Sequence, residues 1–237
     1  MARSRATLCP RWQFDCAAIA GQDWLVGVDE AGRGALAGPV VAAAVAVRAS
    51  YFQALPEAFD LNLIRDSKQI REAQRETLFE QVSTLAEQGL ALHAIGEGSV
   101  DEINRLDILG ATCLAMWRAI QQLQEMGLPH IEFGIDELFQ ESGKRVRILV
   151  DGIHLKRLEL PHEGVVKGDD RSHVIALASI LAKVSRDRKM RDLDRRHSHF
   201  LWASNKGYGS RAHCDAIRAK GPSKWHRKQF IHRLIHR

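Results

Sequence analysis

Trp24-Leu-Val-Gly-Val-Asp29-Glu30-Ala-Gly32-Arg33-Gly34-Ala-Leu-Ala-Gly38-Pro39-Val40-Val-Ala-Ala-Ala-Val-Ala-Val47 is the stretch on which the reading of this chain turns. Two apolar runs, 24–28 and 40–47, consist of β-branched and small residues and flank a Gly-rich turn. That pattern predicts a pair of antiparallel strands. The first run ends on two adjacent carboxylates, Asp29 and Glu30, where a buried strand would be expected to end on a neutral turn residue.

Outward from this pair, strands and helices alternate. Residues 67–88 have helical spacing, with Ile70, Ala73, Leu78, Val82 and Leu85 among Glu, Gln and Arg. Residues 90–96 read as a strand. Ser99-Val-Asp-Glu102 is a capping box for a helix that runs to about Met126 and stops at Gly127 and Pro129. Residues 147–150 and 164–167 are short strands, and Ser172 caps a helix from Val174 to about Leu193. The expectation is a mixed α/β sheet flanked by helices, followed by a small basic helical extension. The division expected is a loose arm (1–23), a main domain (24–200) and the extension (201–237).

The 237 residues are enough for one large core, and 45% hydrophobic with 27% charged residues excludes a disordered or collagen-like chain. The net charge of +5 is unevenly spread: from Lys183 to Arg237 there are sixteen Lys and Arg against four Asp and no Glu. A basic C-terminal quarter on an acidic body points to a polyanionic partner, and a merely solvated basic surface is its rival. Cys9, Cys16, Cys113 and Cys214 form no C-x-x-C pair, so they read as free thiols of a reducing compartment. With no signal peptide and no run of about 20 apolar residues, a cytoplasmic protein is expected.

Asp29-Glu30 has two counterparts: Ile148-Leu-Val-Asp151-Gly152 and Val165-Val-Lys-Gly-Asp169-Asp170. Taken singly, each is also what a turn or a helix cap would place there. Taken together, they are three apolar runs that each deliver carboxylates. If the strand ends converge, each like-charged pair about 4 Å apart costs on the order of 4 kcal/mol at an effective dielectric near 20. Raised pKa values or bound divalent cations would relieve that. All-oxygen ligands suit Mg²⁺ or Mn²⁺, and two such ions are a known device for in-line phosphodiester hydrolysis.

Gly32-Arg-Gly34-Ala-Leu-Ala-Gly38 also has to be weighed as a dinucleotide-binding loop. Asp29 and Glu30 would repel a pyrophosphate, and the strand after Pro39 removes the helix N-terminus that should hold it. The small residues instead let backbone amides and Arg33 approach a sugar-phosphate chain. A binding module that uses only residues 183–237 and has no enzymatic activity is the remaining rival reading.

Asp29-Glu-Ala-Gly-Arg-Gly34 resembles the signature of type 2 ribonuclease H, ribonuclease HII. Further similarities follow in the family's order: Asp66-Ser67-Lys68, Asp151-Gly152, Val166-Lys-Gly-Asp169, Ala178-Ser179-Ile-Leu-Ala-Lys183, Lys206-Gly-Tyr208-Gly209, and Gly221-Pro222-Ser223 with His226-Arg227. The resemblance implies a ribonuclease H-like fold with a C-terminal helical extension. The implied enzyme hydrolyses the RNA strand of RNA–DNA hybrids and cuts 5′ to ribonucleotides embedded in duplex DNA, with two Mg²⁺ or Mn²⁺ ions. Carried over, the metal-binding carboxylates are Asp29, Glu30, Asp151 and Asp169. The backbone of Gly32, Arg33 and Gly34 would read the ribose 2′-hydroxyl. Tyr208 would stack on the following deoxyribose, biasing cutting toward the RNA–DNA junction, and Ser67, Lys68, Ser179 and Lys183 would hold phosphates. Ile153, Gln69, Leu177, Asn205 and Ser210 depart from the family's usual residues without removing a catalytic atom.

Three further expectations concern residues outside that set. Asp136-Glu137 reads as a loop pair and Asp187 as a helix-surface charge. The six histidines after Lys183 read as surface groups or phosphate neighbours. In Trp225-His-Arg-Lys228, Trp225 is expected to pack and the charges to meet phosphate. No membrane, no protein partner and a monomer complete the expectations.

Overall fold

A computed structural model describes residues 9–52, 70–131 and 145–235. Its centre is a five-stranded mixed sheet: β1 (Trp24–Ala31), β2 (Val40–Arg48), β3 (Ala91–Gly98), β4 (Val146–Asp151) and β5 (Glu163–Val165), in the order β3-β2-β1-β4-β5. The expected antiparallel pair is present, Trp24 opposite Arg48 through Ala31 opposite Val41. β3 adds antiparallel to β2, whereas β4 pairs parallel with β1 and β5 parallel with β4. The helices are α1 (Pro10–Ala18), α2 (Glu72–Glu87), α3 (Val100–Glu125), α4 (Gly168–Arg171), α5 (His173–Asp194), α6 (Trp202–Asn205), α7 (Arg211–Lys220) and α8 (Lys228–Ile235). Among the described residues no helix is long and apolar enough to cross a membrane.

The two-residue period of a strand decides which helix each side chain meets. Leu25, Val45 and Leu149 join the core beneath α5, and Val26, Val28, Ala44 and Val150 join the core beneath α3. Because β1 and β2 are covered on both faces, they read as unbroken apolar runs. At Gly27 a Cβ would come within 2.4 Å of the Val174 backbone carbon, so the start of α5 rests directly on β1. A third core joins Ala37, Met190, Phe200, Trp202, Ile217 and Ile231, seating the C-terminal helices on α5 and the Gly-rich loop.

The caps are those expected. Ser99 and Glu102 exchange the two bonds of a capping box, and Ser172 accepts from the Ile175 amide at 3.2 Å. α3 differs in one respect: Asp107 (φ 64°) interrupts it, and its Oδ1 recaps the second segment by accepting from the Gly110 amide at 2.9 Å.

The arm expected at 1–23 is not loose from Pro10 onward. Pro10–Ala18 is helical, and Trp12 is buried against Tyr51, Phe52 and His173. The helix is short and buries isolated residues, so no apolar period announced it. Its Asp15 is buried at the start of α5, where Oδ2 accepts from the Val174 amide at 2.9 Å.

Burial pushes the Asp15 carboxyl from 3.8 up to about 7, against the lowering effect of its bonds to Val174, Ser172 and His173. The folded chain thus keeps a proton between about 3.8 and 7 that the unfolded chain has lost. That stabilisation is complete below the lower value and disappears as pH rises through the upper one. Between pH 5 and 7 the unfolding free energy of the wild type is expected to fall by about 2 kcal/mol more than that of Asp15→Asn. Urea denaturation at several pH values checks this, and parallel pH slopes would refute it.

Candidate active site

Asp29 is on β1 and Asp151 on β4. Val28 pairs with Val150 across these parallel strands, so the two carboxylates are next neighbours at the strands' carboxyl ends, on the α5 side of the sheet. Parallel pairing is what brings them together, since an antiparallel β4 would carry Asp151 to the opposite edge. Asp29 is 6% exposed, and its Oδ1 accepts from the Glu30 amide at 2.6 Å. Asp151 Oδ1 accepts from the Gly168 amide at 2.6 Å, which holds the start of α4 against β4 and brings Asp169 to the same edge.

These carboxylates and the Gly-rich loop share one cleft of about 450 Å³. It is lined by Asp29, Glu30, Asp151 and Asp169, by the loop from Ala31 to Gly34, and by Ser179, Lys183 and Tyr208. The described residues that the family resemblance assigned to catalysis or substrate contact thus line one cleft, whereas the expected phosphate contacts of the 226–228 tail do not join it. Ser67 and Lys68, and the Asp136-Glu137 pair, lie outside the described residues. Asp29 is held well above the usual carboxylate range, first by burial, then by Glu30 and Asp151; the Ser179 hydroxyl and the Glu30 amide pull it down. Arg33 Nη1 is 3.2 Å from Glu30 Oε1.

The donor set fits a hard divalent cation. Each of the four side chains offers carboxylate oxygens, and the central one is buried beside two others of like charge, an arrangement that a 2+ ion neutralises. No group of three or more His, Cys, Asp or Glu among the described residues is already gathered into a metal cage. The carboxylates line the cleft rather than closing on a point.

Four readings of charge and histidine need correction. Asp187, expected on the helix surface, is 3% exposed. It takes the Lys183 ammonium at 2.6 Å one turn away, with Arg75 of α2 at 3.9 Å on its other oxygen. Arg227, expected on phosphate, is fully buried. His213 and His226, expected with the other late histidines to be surface groups or phosphate neighbours, are buried as well. Trp225 is half-buried against the third core, as expected of a packing residue.

Sequence reasoning missed what holds the Gly-rich loop in place. Buried Arg186 of α5 donates to the carbonyls of Pro39 (3.0 Å), Ala37 (3.1 Å) and Lys206 (2.9 Å). Arg227 donates to those of Gly38 (2.9 Å), Arg33 (2.9 Å) and Pro39 (3.0 Å). The two guanidinium groups therefore meet at the Pro39 carbonyl. Burial, and then Arg186, push Arg227 down to about 9, so it remains charged at neutral pH. Gly32 (φ +92°) is required here, because a Cβ would sit 1.8 Å from Arg186 Nε. The Tyr208 loop joins the same knot: the Leu36 amide donates to the Gly207 carbonyl at 2.8 Å, and the Arg186 guanidinium lies 5.3 Å from the Tyr208 ring centre. The glycines were a sequence signal for close approach, but nothing in the sequence named the arginines they make room for.

Comparison with known proteins bears on the family and the fold. The ribonuclease HII family model matches residues 26–236. The chain is 40% identical over 234 residues to ribonuclease HII of Magnetococcus marinus, covering 96% of this chain and 95% of that protein. Among solved structures it is similar to that of the PCNA:RNase HII complex from Archaeoglobus fulgidus (TM-score 0.62, 19% identity, 89% of this chain and 96% of that chain). It is likewise similar to Bst-RNase HIII in complex with Mn²⁺ (TM-score 0.62, 18% identity, 87% and 65%).

Replacing Arg186 by Met takes this donor from the Ala37 and Lys206 carbonyls and leaves the Pro39 carbonyl to Arg227 alone. The unfolding free energy at pH 7 is expected to drop by at least about 2 kcal/mol. A loss under about 0.5 kcal/mol in urea denaturation, the range of ordinary surface substitutions, would show that the loop does not depend on this guanidinium.

Proposed function

The chain belongs to the ribonuclease HII family, and on that premise we propose that it cuts the RNA strand of RNA–DNA hybrids and nicks duplex DNA on the 5′ side of embedded ribonucleotides. It is a hydrolase of the ribonuclease H type. The observation that carries the finer reading is the shared cleft, which unites four carboxylates, a tightly held Gly-Arg-Gly backbone and a projecting tyrosine.

Asp29, Glu30, Asp151 and Asp169 would hold two Mg²⁺ or Mn²⁺ ions. When bound, such ions supply Lewis-acid stabilisation of the charge that develops on the attacking and leaving oxygens. The remaining work belongs to the chain. Backbone groups of Gly32, Arg33 and Gly34 reach the ribose 2′-hydroxyl, which DNA lacks. Arg33 stays beside Glu30, where it can also meet a phosphate. Ser179 and Lys183 hold phosphate oxygens, with Ser67 and Lys68 as further donors. Because Asp187 already takes the Lys183 ammonium, the lysine is aimed along one helix face before substrate arrives. Tyr208 stacks on the deoxyribose that follows and has no room for a hydroxyl there, which favours the RNA–DNA junction. The products carry 3′-hydroxyl and 5′-phosphate ends, and the role that fits them is removal of ribonucleotides from DNA by a monomeric cytoplasmic enzyme.

The test is a DNA duplex containing one ribonucleotide, incubated with protein and Mg²⁺ or Mn²⁺. Wild type is expected to nick it on the 5′ side of the ribonucleotide. Asp29→Asn should lose at least about a thousandfold in rate, about 4 kcal/mol in the barrier, while still binding the duplex. A wild type that binds but never nicks would leave only the basic C-terminal binding module.

A further inference from the structure

Tyr208 projects into the cleft from a loop whose backbone is held from beneath by two buried histidines. His213 of α7 and His226 bring their Nε2 atoms to 3.1 Å, enclosed by Phe200 and Trp202. Their protons can be assigned from the fixed partners on either side. The Tyr208 carbonyl can only accept, so His213 Nδ1, 2.9 Å away, carries the hydrogen. Trp202 Nε1–H can only donate, and it meets His213 Nε2 at 3.0 Å, so that nitrogen is bare. The Ser223 amide donates to His226 Nδ1 at 2.9 Å, which leaves the His226 proton on Nε2, facing His213. One polarity therefore runs from Ser223 through His226 and His213 to the Tyr208 carbonyl. Trp202 and His226 share the one lone pair of His213 Nε2, and a proton added to either ring would set a donor against a donor. Burial favours the neutral rings, pushing His226 down to about 4 and lowering His213.

The Tyr208 carbonyl has a second donor, the Ser210 amide at 2.8 Å, and the Tyr208 amide itself donates to the Asn205 carbonyl at 2.9 Å. The His213 bond ties the Tyr208 carbonyl itself to the buried core of the C-terminal helices. Tyr208 is 38% exposed, so its aim comes from the backbone beneath it more than from enclosure.

We propose that His213, fixed in one tautomer by Trp202 and His226, is a positioning residue for Tyr208 and so sets the preference for cutting at the RNA–DNA junction. This rests on the reading that Tyr208 meets the deoxyribose after the ribonucleotide. His213 touches no substrate and acts only through the tyrosine.

The experiment compares kcat/KM on a duplex with one embedded ribonucleotide and on a continuous RNA–DNA hybrid for wild type, Tyr208→Ala, His213→Asn and His213→Gln. The asparagine amide nitrogen is bonded to Cγ, as Nδ1 is, so it keeps a donor for the Tyr208 carbonyl, whereas glutamine places its amide one bond further out. His213→Gln is expected to lose about tenfold or more on the single-ribonucleotide duplex, by the sensitivity of reaction rates to misplacement, and much less on the continuous hybrid. His213→Asn should stay within about threefold of wild type on both, the size of effect expected when the orienting bond is kept. Equal losses on both substrates, or an asparagine variant as impaired as the glutamine one, overturn the proposal. If His213→Gln does not fold, His226→Leu reads the same network through its partner: a preference shifted in the same direction supports the proposal and an unchanged preference overturns it. Tyr208→Ala separates the two levels. A preference untouched by Tyr208→Ala overturns the reading of Tyr208 and this proposal with it, whereas one changed by Tyr208→Ala but not by His213→Gln overturns the positioning role alone.

Discussion

A buried carboxylate beside two others is the constraint around which the molecule is arranged. Asp29 is 6% exposed, with Glu30 next in sequence and Asp151 on the adjacent parallel strand. Left alone, such a group would be protonated or the strand ends would separate. The fold prevents separation through the sheet itself: β1 is held by β2 on one side and β4 on the other, so both strand ends are fixed by ladder bonds rather than by their own side chains. The repulsion is then available to be neutralised by cations, and the cleft is destabilised when nothing neutralises it. Such an exchange of stability for function is what a candidate active site of this kind would entail.

The positive side of the site follows a different rule. Arg186 and Arg227 are buried and spend their donors on five backbone carbonyls, chiefly those of the loop between β1 and β2. A guanidinium presents five N–H donors in a rigid plane, so one side chain can fix several carbonyls of an irregular loop that has no ladder of its own. Three separate pieces of the chain are tied in this way: the Gly-Arg-Gly loop, α5 with Ser179 and Lys183, and the C-terminal segment carrying Tyr208. The C-terminal helices are therefore structural to the cleft as well as a source of basic charge.

The errors in reading the sequence share one cause. Asp187 was read as a surface charge, Arg227 as a phosphate contact, and His213 and His226 as surface groups or phosphate neighbours, because charged and polar side chains usually are exposed. Each is buried because a partner satisfies it: Arg75, distant in sequence, alongside Lys183 for Asp187, the equally distant 33–39 carbonyls for Arg227, and for the histidines each other together with Trp202, Tyr208 and Ser223, which lie near in the chain. α1 was missed for a related reason. It buries Trp12 and Asp15 rather than a continuous apolar stripe, so its helical period is invisible until Tyr51, Phe52 and His173 surround the tryptophan.

By itself the sequence determined the sheet, most of the helices and the chemistry each could carry. Unbroken apolar runs marked β1 and β2, Ser99 and Ser172 marked helix starts, and three apolar runs ending in carboxylates marked the candidate site, because these are local patterns of the chain. Only the tertiary structure decided that β4 runs parallel beside β1, that Asp187 and Arg227 are interior, and that two histidines support one tyrosine. Those outcomes depend on which side chains meet across the fold, and burial of a charged group is favourable or ruinous according to a partner that no local pattern names.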